Sequence, residues 1–140
     1  MRRVIAITNQ KGGIGNTTTA IAIASILHSR GHSVLLIDAD AQGNASDTFG
    51  AEIDKKVTLY DVLLEYERVN ISEAIQHTQY GDIVAGDPLL RRADALLAAD
   101  MAGAFRLKDA IRDLNGYEYI IIDTAPALGE LTKKDRKSVV

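Results

Sequence analysis

Three short runs, VIAI (4–7), VLLI (34–37) and YIII (119–122), carry apolar or aromatic side chains at every position. A strand with one wet face alternates polar and apolar residues; these do not, so both of their faces must be covered. The first two runs are separated by a stretch of helical character over 17–30 that ends at Gly31, a residue suited to the left-handed position just past a helix end. Strand, helix, strand with fully buried strands predicts the α/β class, a mainly parallel sheet with helices on both faces.

Further along, Thr58 followed by Asp61 has the form of a capping box, and Leu59, Val62, Leu63 and Tyr66 share one helical face. DIVAGDP (82–88) predicts a short strand leaving into a turn, with Asp87 as helix cap and Pro88 as first helical residue. Leu89, Leu90, Ala93, Leu96 and Leu97 would then form a core stripe. Leu107, Ala110, Ile111 and Leu114 recur at helical spacing, and Asn115-Gly116 stops that helix before the last apolar run, which ends in Asp123. No internal repeat, low-complexity segment or linker interrupts the pattern, so one domain over 1–132 is expected, with 133–140 as a basic, disordered tail.

Composition narrows the chemistry. At 140 residues, 46% hydrophobic and 25% charged, the chain is in the range of a single folded domain and outside that of disordered sequences. It has no cysteine, which excludes thiolate metal sites, disulfides and a cysteine nucleophile and makes a reducing cytoplasm the expected location. The N-terminal apolar run is too short for a signal peptide, and no stretch approaches a membrane span. The net charge is −3 although KKDRKSVV at the end holds four cations and one anion. The body is therefore acidic, and it offers no basic groove for nucleic acid.

The stretch NQKGGIGNTTTA (9–20) lies between the first strand and the first helix. Three glycines in four positions let backbone N–H groups curl around an anion, and the following helix N-terminus adds partial positive charge, so the loop is expected to cradle phosphate. It departs from the general phosphate-loop pattern G-x-x-x-x-G-K-[ST] at Gln10 and at Asn16.

This loop resembles the deviant Walker A motif of the ParA/Soj partition ATPases, K-G-G-x-G-K-T-T, and differs from it only at Asn16. LLIDADAQGNAS (35–46) is similar to the family's D-x-D-x-Q-G-N segment, with Ala41 where proline is common. YEYIIIDTAPALGELT (117–132) resembles its Walker B strand, and TLYDVLL (58–64) is also similar to a family segment. The likeness runs from about residue 3 to 132 and implies a P-loop NTPase-like doubly wound sheet that binds ATP or ADP with Mg²⁺.

Carried over position by position, the resemblance implies that Lys11, Gly12, Gly13, Ile14, Gly15, Asn16, Thr17 and Thr18 surround the phosphates. Thr17, Asp38 and Asp123 would lie at the metal, and Asp40 would position or activate the attacking water. Lys11 would also reach the partner's phosphates across a nucleotide-sandwich dimer. His28, His32 and His77 have no ligand spacing and are expected to be surface or packing residues.

The family also implies self-association, a ParB-like centromere-binding partner and nonspecific DNA on the nucleoid. Likeness fails at KKDRKSVV, so truncation after the Walker B strand is expected, with the adenine-contacting and DNA-binding regions absent. The strand before the phosphate loop would then lack a neighbour, so self-association by edge pairing or strand exchange is expected rather than the family's nucleotide sandwich. A MinD-like membrane-cycling ATPase is disfavoured because KKDRKSVV has no apolar face. A nitrogenase-iron-protein-like reductase is excluded by the missing cysteines. A noncatalytic fragment or interaction module keeping the fold remains the contrasting expectation, because the amide of Asn16 can donate hydrogen bonds but cannot neutralise phosphate charge.

Overall fold

A computed structural model describes residues 2–7, 14–40, 42–54, 56–64, 69–90 and 102–124, with residues 14–16 and 102–105 described by backbone only. The three apolar runs form β1 (Arg3–Ile7), β2 (Val34–Ala39) and β5 (Tyr119–Thr124). β3 (Ile75–Thr78) and β4 (Gly81–Val84) complete a five-stranded sheet of order β1-β5-β2-β4-β3. β5 lies parallel between β1 and β2, β2 is parallel to β4, and only the β3–β4 hairpin is antiparallel.

The helices are α1 (Ile14–Ser29), α2 (Asn44–Phe49), α3 (Leu59–Leu64) and α4 (Ala102–Arg112), with a short 3₁₀ turn over Ile71–Ala74. Alternate strand residues supply two cores. Leu35, Ile37, Ile120 and Ile122 meet Leu59, Leu63, Leu107 and Ile111 from α3 and α4 on one face. Leu36, Ile83 and Ile121 meet Ala20, Ala24, Ala45 and Phe49 from α1 and α2 on the other. Helices on both faces of a mostly parallel sheet are the doubly wound α/β arrangement the apolar runs demand.

The ends of the elements follow their chemistry. After α1, Gly31 takes φ 87°, its amide donates to the His28 carbonyl, and the His32 amide donates to the Leu27 carbonyl, a Schellman stop. At α3, the Asp61 carboxylate accepts from the Thr58 amide at 2.9 Å, half of the expected capping box. The Thr58 hydroxyl instead donates to Asp87 at 3.2 Å, fixing α3 to the end of β4. Asp87 caps the next turn, accepting from the Leu89 amide at 2.9 Å, and Pro88 lies in that turn rather than in a helix.

Leu90 is buried but Leu89 is 44% exposed, so it does not belong to the expected stripe; it occupies the capping turn, where no helical face has begun. Tyr66, Ala93, Leu96, Leu97 and the basic tail lie outside the described residues. β3 and α2 were not foreseen. IQHT is too short and too polar for a strand signal, and NASDTF has no helical apolar period.

Candidate nucleotide site

In an open parallel sheet, ligands gather where the carboxyl ends of the strands meet the helix N-termini. Here the ends of β5 and β2 place Asp123 and Asp38 opposite each other in register, and Ile7 at the end of β1 is the other register partner of Asp123. The Thr124 hydroxyl donates to the Ile7 carbonyl at 2.8 Å, closing β5 onto β1 where the glycine-rich loop departs.

Thr17 lies in the first turn of α1, and its Oγ1 donates to Asp123 Oδ2 at 2.9 Å. Both side chains are buried, and Asp123 Oδ1 has no hydrogen-bond partner among the described residues. Burial pushes the Asp123 carboxyl up to about 7; the Thr17 hydrogen bond opposes this, and the charges of Asp38 and Asp40 add to it. An orphaned carboxylate oxygen beside a threonine hydroxyl is a donor set suited to a hard, oxygen-seeking cation such as Mg²⁺, so these residues fit the metal that the motif implies.

Asp38 is completely buried. Its Oδ2 accepts from the Ser46 amide at 2.9 Å and the Ser46 hydroxyl at 2.6 Å, and its Oδ1 accepts from the Asp40 amide at 3.2 Å. Burial raises its pKa, and these three hydrogen bonds pull it back. Asp38 is thus the register neighbour of Asp123, and both of its oxygens hold the 40–46 segment. Asp40 is half-buried, and its Oδ1 accepts from the Gln42 amide at 3.0 Å, a local turn.

Thr18 is exposed on the same turn of α1. Lys11, Gly12 and Gly13 lie outside the described residues; of Ile14, Gly15 and Asn16 only the backbone is described, and it opens α1. The structure thus brings together Thr17, Asp38 and Asp123, with Asp40 two residues beyond Asp38. Sequence reasoning missed Ser46, Thr124 and Gly86, whose partners are distant in the chain. The histidines pack elsewhere: His32 pairs with Glu118 at 3.2 Å, His77 with Asp82 at 2.7 Å, and His28 lies against Gly81.

An AAA-domain family model, AAA_31, matches residues 2–135. The chromosome partitioning protein ParA of Myxococcus xanthus is 43% identical over 134 residues, covering 93% of this chain and 47% of the relative. The chain belongs to the ParA/Soj family of AAA-domain proteins. The sporulation initiation inhibitor Soj of Bacillus subtilis is 38% identical over 94% of this chain and 53% of its own length. Among solved structures of the same fold, a Mycobacterium smegmatis protein described as cobyrinic acid a,c-diamide synthase, with bound ATP analog and magnesium, superposes with a TM-score of 0.81. It is 37% identical, over 94% of this chain and 55% of that one. The chain spans about half the length of the family members it matches. Among the described residues no helix is long and apolar enough to cross a membrane.

Proposed function

We propose that this chain is the nucleotide-binding portion of a partition-type ATPase and that it takes ATP or ADP together with Mg²⁺. The observation that carries the reading is the 2.9 Å bond between Thr17 and Asp123, with a buried carboxylate oxygen that has no partner among the described residues, at the start of a helix that follows a glycine-rich loop. Magnesium, when bound, neutralises phosphate charge and orients the phosphate oxygens. Thr17, Asp38 and Asp123 are the residues that would hold it. Backbone amides of residues 12–16, with Thr18, bind the phosphates; Asp40 orients the attacking water; and Lys11 reaches the phosphates of a second copy. The Mycobacterium smegmatis protein described as cobyrinic acid a,c-diamide synthase shares the fold and holds an ATP analog with magnesium, which supports the cofactor pair but not a particular cargo.

Asn16 sets the limit. A lysine there would bring a positive charge to the β- and γ-phosphates, and an amide supplies only hydrogen bonds. Since a hydrogen bond to a charged group contributes about 1.5–3 kcal/mol and about 1.4 kcal/mol is tenfold, hydrolysis is impaired by at least about 10- to 100-fold. Charge stabilisation counts most in the transition state, so hydrolysis suffers more than binding. Asn16 also favours a second reading, a noncatalytic module that keeps the fold.

In the longer proteins of this family, self-association, a ParB-like centromere-binding partner and nonspecific DNA complete a cytoplasmic, nucleoid-associated cycle. We assign the DNA contact to a region outside this chain, because the body is acidic.

Calorimetry with ADP and Mg²⁺ tests the reading. Measurable binding is expected, and none would favour the noncatalytic module. Phosphate release from Asn16→Lys is expected to exceed that of the wild-type chain by at least about tenfold; an unchanged rate would overturn the role given to Asn16.

A further inference from the structure

The β2–β4 ladder runs through Leu35↔Asp82, Leu36↔Ile83 and Ile37↔Val84 and then stops. Just past that point, the two strand ends are joined by a side chain instead. The Ser46 hydroxyl donates to Asp38 Oδ2 at 2.6 Å and accepts from the Gly86 amide at 2.8 Å. All three residues are buried. A carboxylate only accepts and an amide N–H only donates, so a group that does both must stand between them; among small side chains a hydroxyl is that group.

A second feature points to the same junction. A Cβ on Gly86 would sit 2.8 Å from the Asp40 carbonyl oxygen, 2.9 Å from that of Asp38 and 3.1 Å from the Asp38 carboxyl carbon. The Gly86 backbone therefore rests directly on the backbone of Asp38 and Asp40, and no larger residue allows that approach. Gly86 is also tied into the rest of the β4 exit: the neighbouring Ala85 carbonyl accepts from the Leu59 amide at 2.9 Å, and Asp87 accepts from Thr58.

We propose that Ser46 is a positioning residue for the nucleotide site, a latch that fixes the segment carrying Asp40 against the end of β4. Asp38 is the other half of the latch, since its remaining oxygen holds the Asp40 amide. The chain Gly86–Ser46–Asp38–Asp40 then sets where the Asp40 carboxylate stands. This assignment of purpose rests on the nucleotide reading above, whereas the latch itself is a property of the folded chain.

Hydrogen exchange of the full chain as wild type, Ser46→Ala and Ser46→Thr tests it, with denaturant unfolding of each variant alongside. In Ser46→Ala the amides of Asp40, Gln42 and Gly86 are expected to exchange at least about tenfold faster, with core amides of β5 changing no more than global stability requires. Ser46→Thr, which keeps the hydroxyl, is expected to restore slow exchange. In the Asn16→Lys background, Ser46→Ala is expected to lower kcat at least about tenfold with little change in KM, because Asp40 acts on the chemical step and not on binding. Unchanged exchange at Asp40, Gln42 and Gly86 in Ser46→Ala would overturn the latch. Altered exchange with kcat intact would overturn its role in catalysis. Failure of the wild-type chain to bind ADP and Mg²⁺, with the exchange result as expected, would overturn the nucleotide reading and the positioning role but leave the latch standing.

Discussion

Asp123 is where a single residue has the most to lose by folding without a ligand. One oxygen takes the Thr17 hydroxyl and the other takes nothing among the described residues, in a position that is 1% exposed and faces a second buried carboxylate. Its carboxyl is held up to about 7 from an ordinary 3.8, so the folded chain binds a proton that the unfolded chain has released. Stability contributed by that proton is complete below pH 3.8 and is lost as pH rises through about 7. We expect the metal-free protein to be less stable at pH 8 than at pH 5 by on the order of 2–4 kcal/mol, measured by denaturant unfolding. Asp123→Asn, which carries no charge at either pH, is expected to remove at least half of that difference; the raised Asp38 supplies the remainder with the same sign. A pH-independent midpoint in the wild type would contradict the burial account.

The glycine at the β4 exit makes a complementary prediction. Gly86→Ala pushes a methyl group onto two carbonyl oxygens of the 38–40 backbone, which cannot move without disturbing β2, and is expected to cost about 1–3 kcal/mol. Thermal or denaturant melts measure it directly.

At the scale of elements, ends matter more than middles. Arg2 donates from one guanidinium nitrogen to the carbonyls of Ile111 and Leu114, at 2.9 and 2.8 Å, so the residue before β1 caps the end of α4 more than a hundred positions away. A cation at a helix C-terminus also complements its dipole. Arg2→Ala is expected to destabilise the fold by about 1–2 kcal/mol and to speed amide exchange in the last turn of α4 before that of its centre. Gly31 closes α1 at φ 87°, and Gly31→Ala is expected to cost about 1–2 kcal/mol from backbone strain alone, since a Cβ there meets no atom within 4 Å.

The same scale explains which elements were legible. Helices over 59–64 and 102–112 announce themselves through apolar spacing and capping residues, because their partners are their own neighbours in sequence. α2 exists because Asp38 takes the amide and hydroxyl of Ser46, and β3 exists because β4 offers it a hairpin partner. Neither cause is visible within six residues of chain.

For the whole molecule, the order of the sheet carries the consequence. β1 pairs with β5 on one side, and no described strand lies on its other side. An apolar strand edge that stays unpaired recruits another chain. We expect concentration-dependent association in light scattering with and without ATP, and a strictly monomeric, soluble chain at all concentrations would count against edge pairing.

By itself the sequence determined the class of the fold and the family. Apolar runs without alternation permit only a sheet buried on both faces, and NQKGGIGNTTTA, LLIDADAQGNAS and the strand ending in Asp123 are contiguous stretches whose chemistry is local. Thr17, Asp38, Asp40 and Asp123 were named through the resemblance of those same contiguous stretches to the family's motifs. Only the tertiary structure decided that β5 enters between β1 and β2, that Asp38 spends both oxygens on the segment after it, and that Ser46 and Gly86 join the strand ends where the ladder stops. Those contacts link residues up to 40 and 117 positions apart. Such pairings are set by which strands become neighbours in the sheet, a choice made by the packing of both cores together and by no single segment.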